Sequence, residues 1–191
     1  MAKIGYARVS SKEQHLDRQL AALKDVDKLF TDKLSGANTN RPELQKMLAY
    51  IREGDIVSIH SECKESIMEN AAFIKQKKAL FGLALNPDTS IEEVKKYLPY
   101  VDVILLMLIV PGFAGSSMIH GIMEKVRETR QYLDQHRHTN IEICVDGSVS
   151  CERARYMRDL GASIFVGGTA GIFRKDMPLS ETIPTFIESI T

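Results

Sequence analysis

The chain has 191 residues, 44% of them hydrophobic and 26% charged, a balance typical of a folded globular protein rather than a disordered one. Lys plus Arg and Asp plus Glu number 25 each, so the basic excess usual in DNA-binding domains is missing. Its most apolar stretch, residues 101–110, is about half of the roughly 20 residues that a membrane-spanning helix needs. Three cysteines without a framework spacing, and no recognisable secretory leader, predict a reduced, cytoplasmic protein.

Apolar segments that we predict as strands alternate with helical patterns along the whole chain. The predicted strands are 3–9, 29–31, 56–59, 81–85, 103–109, 141–145 and 163–166. The first predicted helix follows Ser10, the second begins at Pro42, and a later one follows the capping box Ser90–Glu93. The other predicted helices are 64–78, 119–136, 151–160 and 179–189.

This alternation predicts an α/β protein with a largely parallel sheet of about seven strands. Because no linker rich in Pro, Gly or Ser interrupts it, we expect a single domain over residues 1–191. Two architectures fit the pattern: a remodelled or partial (β/α)₈-type barrel, or an open doubly wound sheet.

The first 57 residues carry three informative segments. They are Gly5-Tyr6-Ala7-Arg8-Val9-Ser10, the helix pattern 16–23, and residues 32–36 leading to Arg41-Pro42. Together they resemble the start of the catalytic domain of serine recombinases, the resolvases and invertases. The resemblance implies that Ser10 attacks a DNA phosphate while Arg8 and Arg41 stabilise the developing charge. Later motifs of that family have no counterpart, which favours the alternative that Ser10 caps a helix.

Residues 58–191 carry five further motifs in order. They are His60-Ser61-Glu62, Leu83 to Pro87, Val110 to Gly115, Asp146-Gly147-Ser148 and Gly168 to Phe173. This segment resembles strands four to eight of the ribulose-phosphate 3-epimerase family, in particular its allulose-6-phosphate 3-epimerase branch. The resemblance implies a (β/α)₈ barrel, in which two aspartates exchange the proton on the carbon next to a carbonyl. Asp146 matches one of them, and that residue also binds a divalent metal (Zn, Fe, Mn or Co) in the family.

The same resemblance implies a phosphate site, because such barrels bind phosphate with backbone N–H groups of the last two strand-to-helix loops. Glycine in these loops lets the backbone approach an anion closely, although each Gly pair taken alone is more typical of a tight turn. The predicted phosphate-binding residues are Gly112, Gly115, Gly147, Ser148, Gly167, Gly168 and Thr169, and Asn86 and Met107 are predicted to line the substrate pocket.

The N-terminal segment offers replacements for the epimerase strands that are missing. In a barrel, Ser10, Asp32, His60 and Glu62 would all gather with Asp146 where the strands end. Asp32 is then the candidate second catalytic base, and Asp146, His60 and Glu62 are the candidate metal ligands, since residues i and i+2 of a strand point the same way. The alternatives are that Asp32 is a turn residue and His60 a core or loop histidine.

Our leading hypothesis is an artificial or recombined chimera, joined within residues 55–60, that keeps an epimerase-like phosphate site but little or no catalysis. One alternative is a metal-dependent pentulose- or hexulose-phosphate 3-epimerase, an isomerase; a second is a DNA-binding or serine recombinase remnant. The expected partners are phosphate, sulfate or a phosphosugar, without nucleic acid or membrane. We also expect a dimer, because an incomplete barrel leaves unpaired sheet edges.

Overall fold

A computed structural model describes residues 4–9, 28–33, 42–62, 64, 67–110 and 118–191. The described residues up to Asp55 form one compact unit, and those from Ile56 onward form a second. Within these ranges, seven strands form two parallel sheets of two and five strands, and helices follow the strands from the second strand onward, which confirms the α/β class and the parallel pairing. The expectation that residues 1–191 form one domain stays a prediction.

The first unit contains a two-stranded parallel sheet. Strand β1 (Ile4–Val9) pairs with β2 (Lys28–Lys33), which places the backbone of Arg8 opposite that of Asp32. Helix α1 (Pro42–Tyr50) begins at a proline, whose missing N–H costs nothing in the first turn. The Phe30 ring is buried, and its centroid lies 6.1 Å from that of Tyr50.

The second unit contains a five-stranded parallel sheet. Its strands are β3 (Ile56–His60), β4 (Leu80–Leu85), β5 (Val103–Met107), β6 (Glu142–Asp146) and β7 (Ile164–Phe165). The order is β3-β4-β5-β6-β7, so each strand lies beside its neighbour in sequence. A doubly wound sheet reverses its strand order at a switch point, whereas a (β/α)₈ barrel does not, so this order favours the barrel-type alternative.

Five helices follow the strands of this unit. They are α2 (Ile67–Gln76), a 3₁₀ helix (Ile91–Tyr100), α3 (Glu124–Gln135), α4 (Cys151–Asp159) and α5 (Leu179–Ile190). The predicted capping box opens the 3₁₀ helix, where the Ser90 N–H donates to Glu93 Oε1 at 2.8 Å. No helix within the described ranges is long and apolar enough to cross a membrane.

The two faces of the five-stranded sheet differ in burial. Ile104, Leu106, Ile143 and Val145 are fully buried, whereas the alternating residues Leu105, Met107 and Asp146 keep part of their surface exposed. Neighbouring residues of a strand point to opposite faces. One face therefore forms the main apolar core, and the other carries the candidate catalytic aspartate.

The edge where the strands begin, which we call the amino edge, is tied together by charged side chains. Asp102 forms an ion pair with Lys75 of α2 and accepts a hydrogen bond from the Phe81 N–H at 2.7 Å. Arg130 of α3 donates to the Ile141 carbonyl at 2.9 Å and pairs with Asp134 at 2.7 Å. These contacts fix helices α2 and α3 to the starts of β4, β5 and β6.

Candidate functional site

Four residues of the second unit, three of them polar, lie in one row at the opposite edge of the sheet, which we call the carboxyl edge. Met107 is opposite Asp146 in the β5–β6 register. Asn86 follows Leu85, which is opposite Leu106, so Asn86 is level with Met107. Glu62 comes two residues after the end of β3 and reaches the same row, where it contacts Asn86. Parallel pairing therefore places Glu62, Asn86, Met107 and Asp146 along one edge.

Glu62 is the acceptor for several donors at the end of β3. The Asn86 amide donates to Glu62 Oε1 at 2.8 Å, and the Thr89 and Ser61 hydroxyls donate to the same oxygen at 3.2 and 3.3 Å. His60 Nδ1 lies 3.4 Å from Glu62 Oε2. Partial burial favours the neutral acid, but a backbone N–H, these hydroxyls and the charge of His60 outweigh it and lower the pKa of Glu62. Glu62 thus holds the start of the loop that follows β4.

Lys125 of α3 holds the same loop from its backbone. Its ammonium donates to the carbonyl oxygens of Asn86, Pro87 and Thr89 at 2.6, 3.1 and 2.6 Å. An ammonium has three donors, so each one has a partner. Half-burial lowers the pKa of Lys125, against the opposing charges of nearby acidic residues led by Asp88. The Asn86 Oδ1 atom is buried, and no other described residue donates to it.

The loop after β6 forms a turn in an unusual backbone conformation. Gly147 and Ser148 both have positive φ angles, +118° and +53°. A Cβ atom at Gly147 would lie 2.8 Å from Ile109 Cγ1, so a larger residue would collide with the chain after β5. Arg153 Nη1 donates to the Ser148 carbonyl and hydroxyl oxygens at 2.8 and 3.0 Å. The arginine thereby holds Ser148 in a conformation that non-glycine residues seldom adopt.

The loop after β7 folds around one carbonyl and contacts the loop after β6. The Gly168 oxygen accepts from the N–H groups of Gly171, Ile172 and Phe173 at 3.2, 2.9 and 3.0 Å. A Cβ at Gly171 would lie 2.6 Å from the Val149 carbonyl oxygen, so the two loops are in close backbone contact. Among the described residues, no acceptor is recorded for the backbone N–H groups of Gly147, Ser148, Gly167, Gly168 and Thr169.

Of the predicted site residues, the structure brings Asn86, Met107 and Asp146 into one row and places the loops containing Gly147 and Gly168 beside it. Ser10, Gly112 and Gly115 lie outside the described residues. Asp32 is part of β2 in the first unit, with its backbone opposite Arg8. The roles predicted for these residues stay predictions.

The predicted metal ligands are not assembled into one group. Among the described residues, no three His, Cys, Asp or Glu side chains are grouped so that they could hold a metal ion. Strands β4 and β5 lie between β3, which carries His60, and β6, which carries Asp146. The described residues therefore do not fit the metal.

Comparison with protein families assigns the segment that carries this row. The model described as "Ribulose-phosphate 3 epimerase family" matches residues 41–173, more than half of the chain. The chain belongs to the ribulose-phosphate 3-epimerase family. A second model, "Resolvase, N terminal domain", matches residues 3–64, so the two matches share residues 41–64. This overlap contains the predicted join at residues 55–60 and is consistent with a chimera.

Curated members of the epimerase family cover similar parts of the chain. The ribulose-phosphate 3-epimerases of Bacillus subtilis and Chlamydia muridarum are 32% and 36% identical over 64% and 67% of this chain, and over 57% of each relative. The Escherichia coli K12 enzyme is 34% identical over 60% of this chain and 51% of its own length. The chain thus spans little more than half the length of these epimerases.

Solved structures agree with the fold of this epimerase-family chain. A 3-hexulose-6-phosphate synthase matches with a TM-score of 0.54 at 13% identity, covering 99% of this chain and all of its own. An octameric ribulose-1,5-bisphosphate carboxylase/oxygenase from Pyrococcus horikoshii matches with a TM-score of 0.50 at 12% identity, covering all of this chain and 59% of its own. At such low identity these matches support a TIM-barrel-like fold and nothing about activity.

Two residues of the site in this epimerase-family member were not predicted from the sequence. Lys125 and Arg153 each lie in a helix whose charged residues are typical of a solvent-exposed face. Lys125 meets acceptors that lie 36 to 39 residues away, so no local pattern indicates its role. Arg153 follows Ser148 by five residues, and an arginine soon after a Gly-Ser turn was the available signal.

Proposed function

We propose that this chain is a phosphosugar-binding member of the epimerase family, in which the loops after β6 and β7 bind the phosphate group. The observation that carries the proposal is the close contact of these two loops, together with the five backbone N–H groups for which no acceptor is recorded among the described residues. Converging backbone N–H groups are a common way for proteins to bind anions. The Gly147-Ser148 turn also directly precedes helix α4, whose amino end favours negative charge.

Amide NMR on the full chain tests this site. Titration with inorganic phosphate at constant ionic strength should shift the amide signals of Gly147, Ser148, Gly167, Gly168 and Thr169. The amide of Asn140, which lies beyond the amino edge, serves as the internal control and should not move. Absence of saturable shifts in both loops would contradict the proposal.

The alternative function that we propose is epimerisation of a pentulose or hexulose phosphate, an isomerase reaction of the family that this chain resembles. Asp146 supports it, because it is opposite Met107 in the strand register and directly precedes the Gly147-Ser148 turn. A carboxylate at that position can remove the proton on a carbon next to a carbonyl when the sugar chain extends from the phosphate along the row. Asp32 stays the predicted second acid of this reaction.

We further propose that the protein is cytoplasmic and forms a dimer. Leu179, Ile183 and Ile187 recur every four residues along α5, and between 41% and 54% of their surface is exposed. Such an apolar stripe supports self-association. Light scattering after size-exclusion chromatography should give twice the monomer mass, and Ile187→Glu should lower it. A wild-type protein that is monomeric at all concentrations would contradict the dimer.

A further inference from the structure

One charged side chain beside the loops after β6 and β7 has no role in the function proposed above. Arg153 lies in the first turn of α4, and one of its nitrogens donates to both the carbonyl and the hydroxyl oxygen of Ser148. Its own backbone N–H donates to the capping hydroxyl of Ser150 at 3.3 Å. The arginine is therefore fixed at its backbone and at its guanidinium. It lies against the turn that carries two of the N–H groups for which no acceptor is recorded among the described residues.

The hydrogen bond to the Ser148 hydroxyl has a chemical consequence. A hydroxyl group has one donor and two acceptor positions. Since Arg153 donates to Ser148 Oγ, the Ser148 proton must point away from the arginine. The hydroxyl is thus oriented as a donor, as the neighbouring backbone N–H groups of Gly147 and Ser148 are.

The charge of Arg153 also has a consequence for anions at this turn. Asp146 lies two residues before Ser148, and an ionised carboxylate close to a bound anion repels it. The Arg153 guanidinium carries a positive charge and contacts the same turn. It offsets this repulsion, and its attraction for an anion grows in proportion to the anion's charge.

We propose that Arg153 sets the charge preference of the phosphate site. It orients the Ser148 hydroxyl and places a fixed positive charge next to it. The site therefore selects doubly charged phosphate monoesters over singly charged anions. This inference rests on the proposed phosphate site. Arg153 acts through Ser148 and through its field, and is a positioning residue rather than a catalytic one.

Two ligands of equal shape and different charge test this preference. Methyl phosphate is mostly a dianion at pH 8, because the second pKa of a phosphate ester is about 6, whereas methyl sulfate stays a monoanion. Calorimetric titration of the full chain at pH 8 should give an affinity for methyl phosphate at least tenfold above that for methyl sulfate. Arg153→Met should weaken methyl phosphate binding roughly tenfold and methyl sulfate binding only about threefold, since the Coulomb energy doubles with the charge.

Two variants separate the charge from the contact and from nonspecific effects. Arg153→Gln keeps a donor for Ser148 but removes the charge, so it should also lose the preference for the dianion. Arg155→Met removes an exposed arginine of the same helix and should keep both affinities. Thermal melting of each variant shows whether the fold is intact.

The possible failures are distinguishable. If the wild type binds neither ligand, the phosphate site itself is absent and this inference falls with it. If the wild type binds both ligands equally, or if Arg153→Met weakens both by the same factor, the phosphate site stands but the charge role of Arg153 is overturned. The comparison of the two ligands on the wild type decides the question even where a variant does not fold.

Discussion

The two edges of the five-stranded sheet use their polar groups in different ways. At the amino edge, Asp102 and Arg130 each contact both a helix and the backbone at the start of a strand. At the carboxyl edge, Lys125 and Arg153 also contact backbone, but they hold loops rather than strands. In the loops after β6 and β7, five backbone N–H groups still have no recorded acceptor among the described residues. The amino edge therefore stabilises the sheet, and the carboxyl edge is where the proposed phosphate site lies.

The comparison also explains where backbone strain occurs. Ser148, a residue with a side chain, adopts a positive φ at the carboxyl edge and is held there by Arg153. Such strain persists only where surrounding contacts enforce it, and it is common at binding sites. The amino edge has residues of this kind too, Lys78 and Arg137, but both lie in the turns that end helices α2 and α3, where a left-handed residue is common.

The largest expected effect comes from removing the carboxylate at the carboxyl edge. Asp146→Asn should lower the exchange of the substrate proton with solvent by at least about 10²-fold, because a general base contributes that much to proton transfer. The measurement is deuterium incorporation into ribulose 5-phosphate by NMR. The control is Asp134→Asn on the exposed side of α3, which should exchange at the wild-type rate. Equal rates for Asp146→Asn and the wild type would remove Asp146 from the site.

A second change disturbs the turn itself. Gly147→Ala forces an alanine to a φ of +118° and places its Cβ against Ile109, so we expect a loss of about 1–3 kcal/mol in unfolding free energy. Phosphate binding should weaken as well. The control is Gly168→Ala, whose new Cβ would have no atom within 4 Å among the described residues other than its chain neighbours, so its unfolding free energy should change little. Urea unfolding measures the unfolding free energy of both variants. Equal values for Gly147→Ala and Gly168→Ala would mean that the turn is not strained.

The matching change at the amino edge should affect stability without affecting binding. Asp102→Ala leaves the Phe81 N–H without its acceptor and Lys75 without its partner, and should cost about 1–3 kcal/mol in unfolding free energy. Its affinity for phosphate should stay within twofold of wild type. Asp159→Ala, which removes an exposed ion pair with Arg158, should cost less than about 0.5 kcal/mol. If Asp102→Ala lost phosphate binding while remaining folded, the division of roles between the edges would be wrong.

The smallest expected effect is a pH dependence at Glu62. Its pKa is lowered in the folded protein, so its carboxylate contributes stability above the pKa of the unfolded chain, and this contribution is lost as the pH falls through the lowered value. Glu62→Gln should therefore be less stable than wild type at pH 7, and the difference should shrink in acid. Urea unfolding across this range checks it, with the exposed Glu152→Gln as control. A difference in unfolding free energy between Glu62→Gln and wild type that stays constant with pH would show that the folded protein does not stabilise the ionised form of Glu62.

Much of the fold could be predicted from the sequence because the signals are local. Each predicted strand overlaps an observed one, and helices such as α4, predicted at 151–160, are found within about two residues of the prediction. The prediction for the segment after Ser90 gave a helix, and the structure has a 3₁₀ helix there that contains Pro99. A proline has no N–H for the intrahelical bond, and this disfavours the regular α form near the end of that segment.

The candidate site was predictable only in part. Asp146, Gly147 and Gly168 were recognised because they follow short strands in a known order of motifs. The separation of His60 and Glu62 from Asp146 was not predictable, since it depends on which strands lie between β3 and β6. The contacts of Glu62 with Asn86 and Thr89 likewise join residues that lie 24 and 27 positions apart.

By itself, the sequence determined the alternation of strands and helices and the glycine-rich turns at the strand ends, because both follow from side-chain periodicity and backbone freedom over a few residues. Only the tertiary structure decided which strand ends are neighbours. It placed Asn86 and Met107 beside Asp146, kept His60 and Glu62 three strands away from it, and brought Lys125 and Arg153 to the loops that they hold. The physical reason is that strand order and helix docking depend on packing between distant segments, which no local pattern encodes.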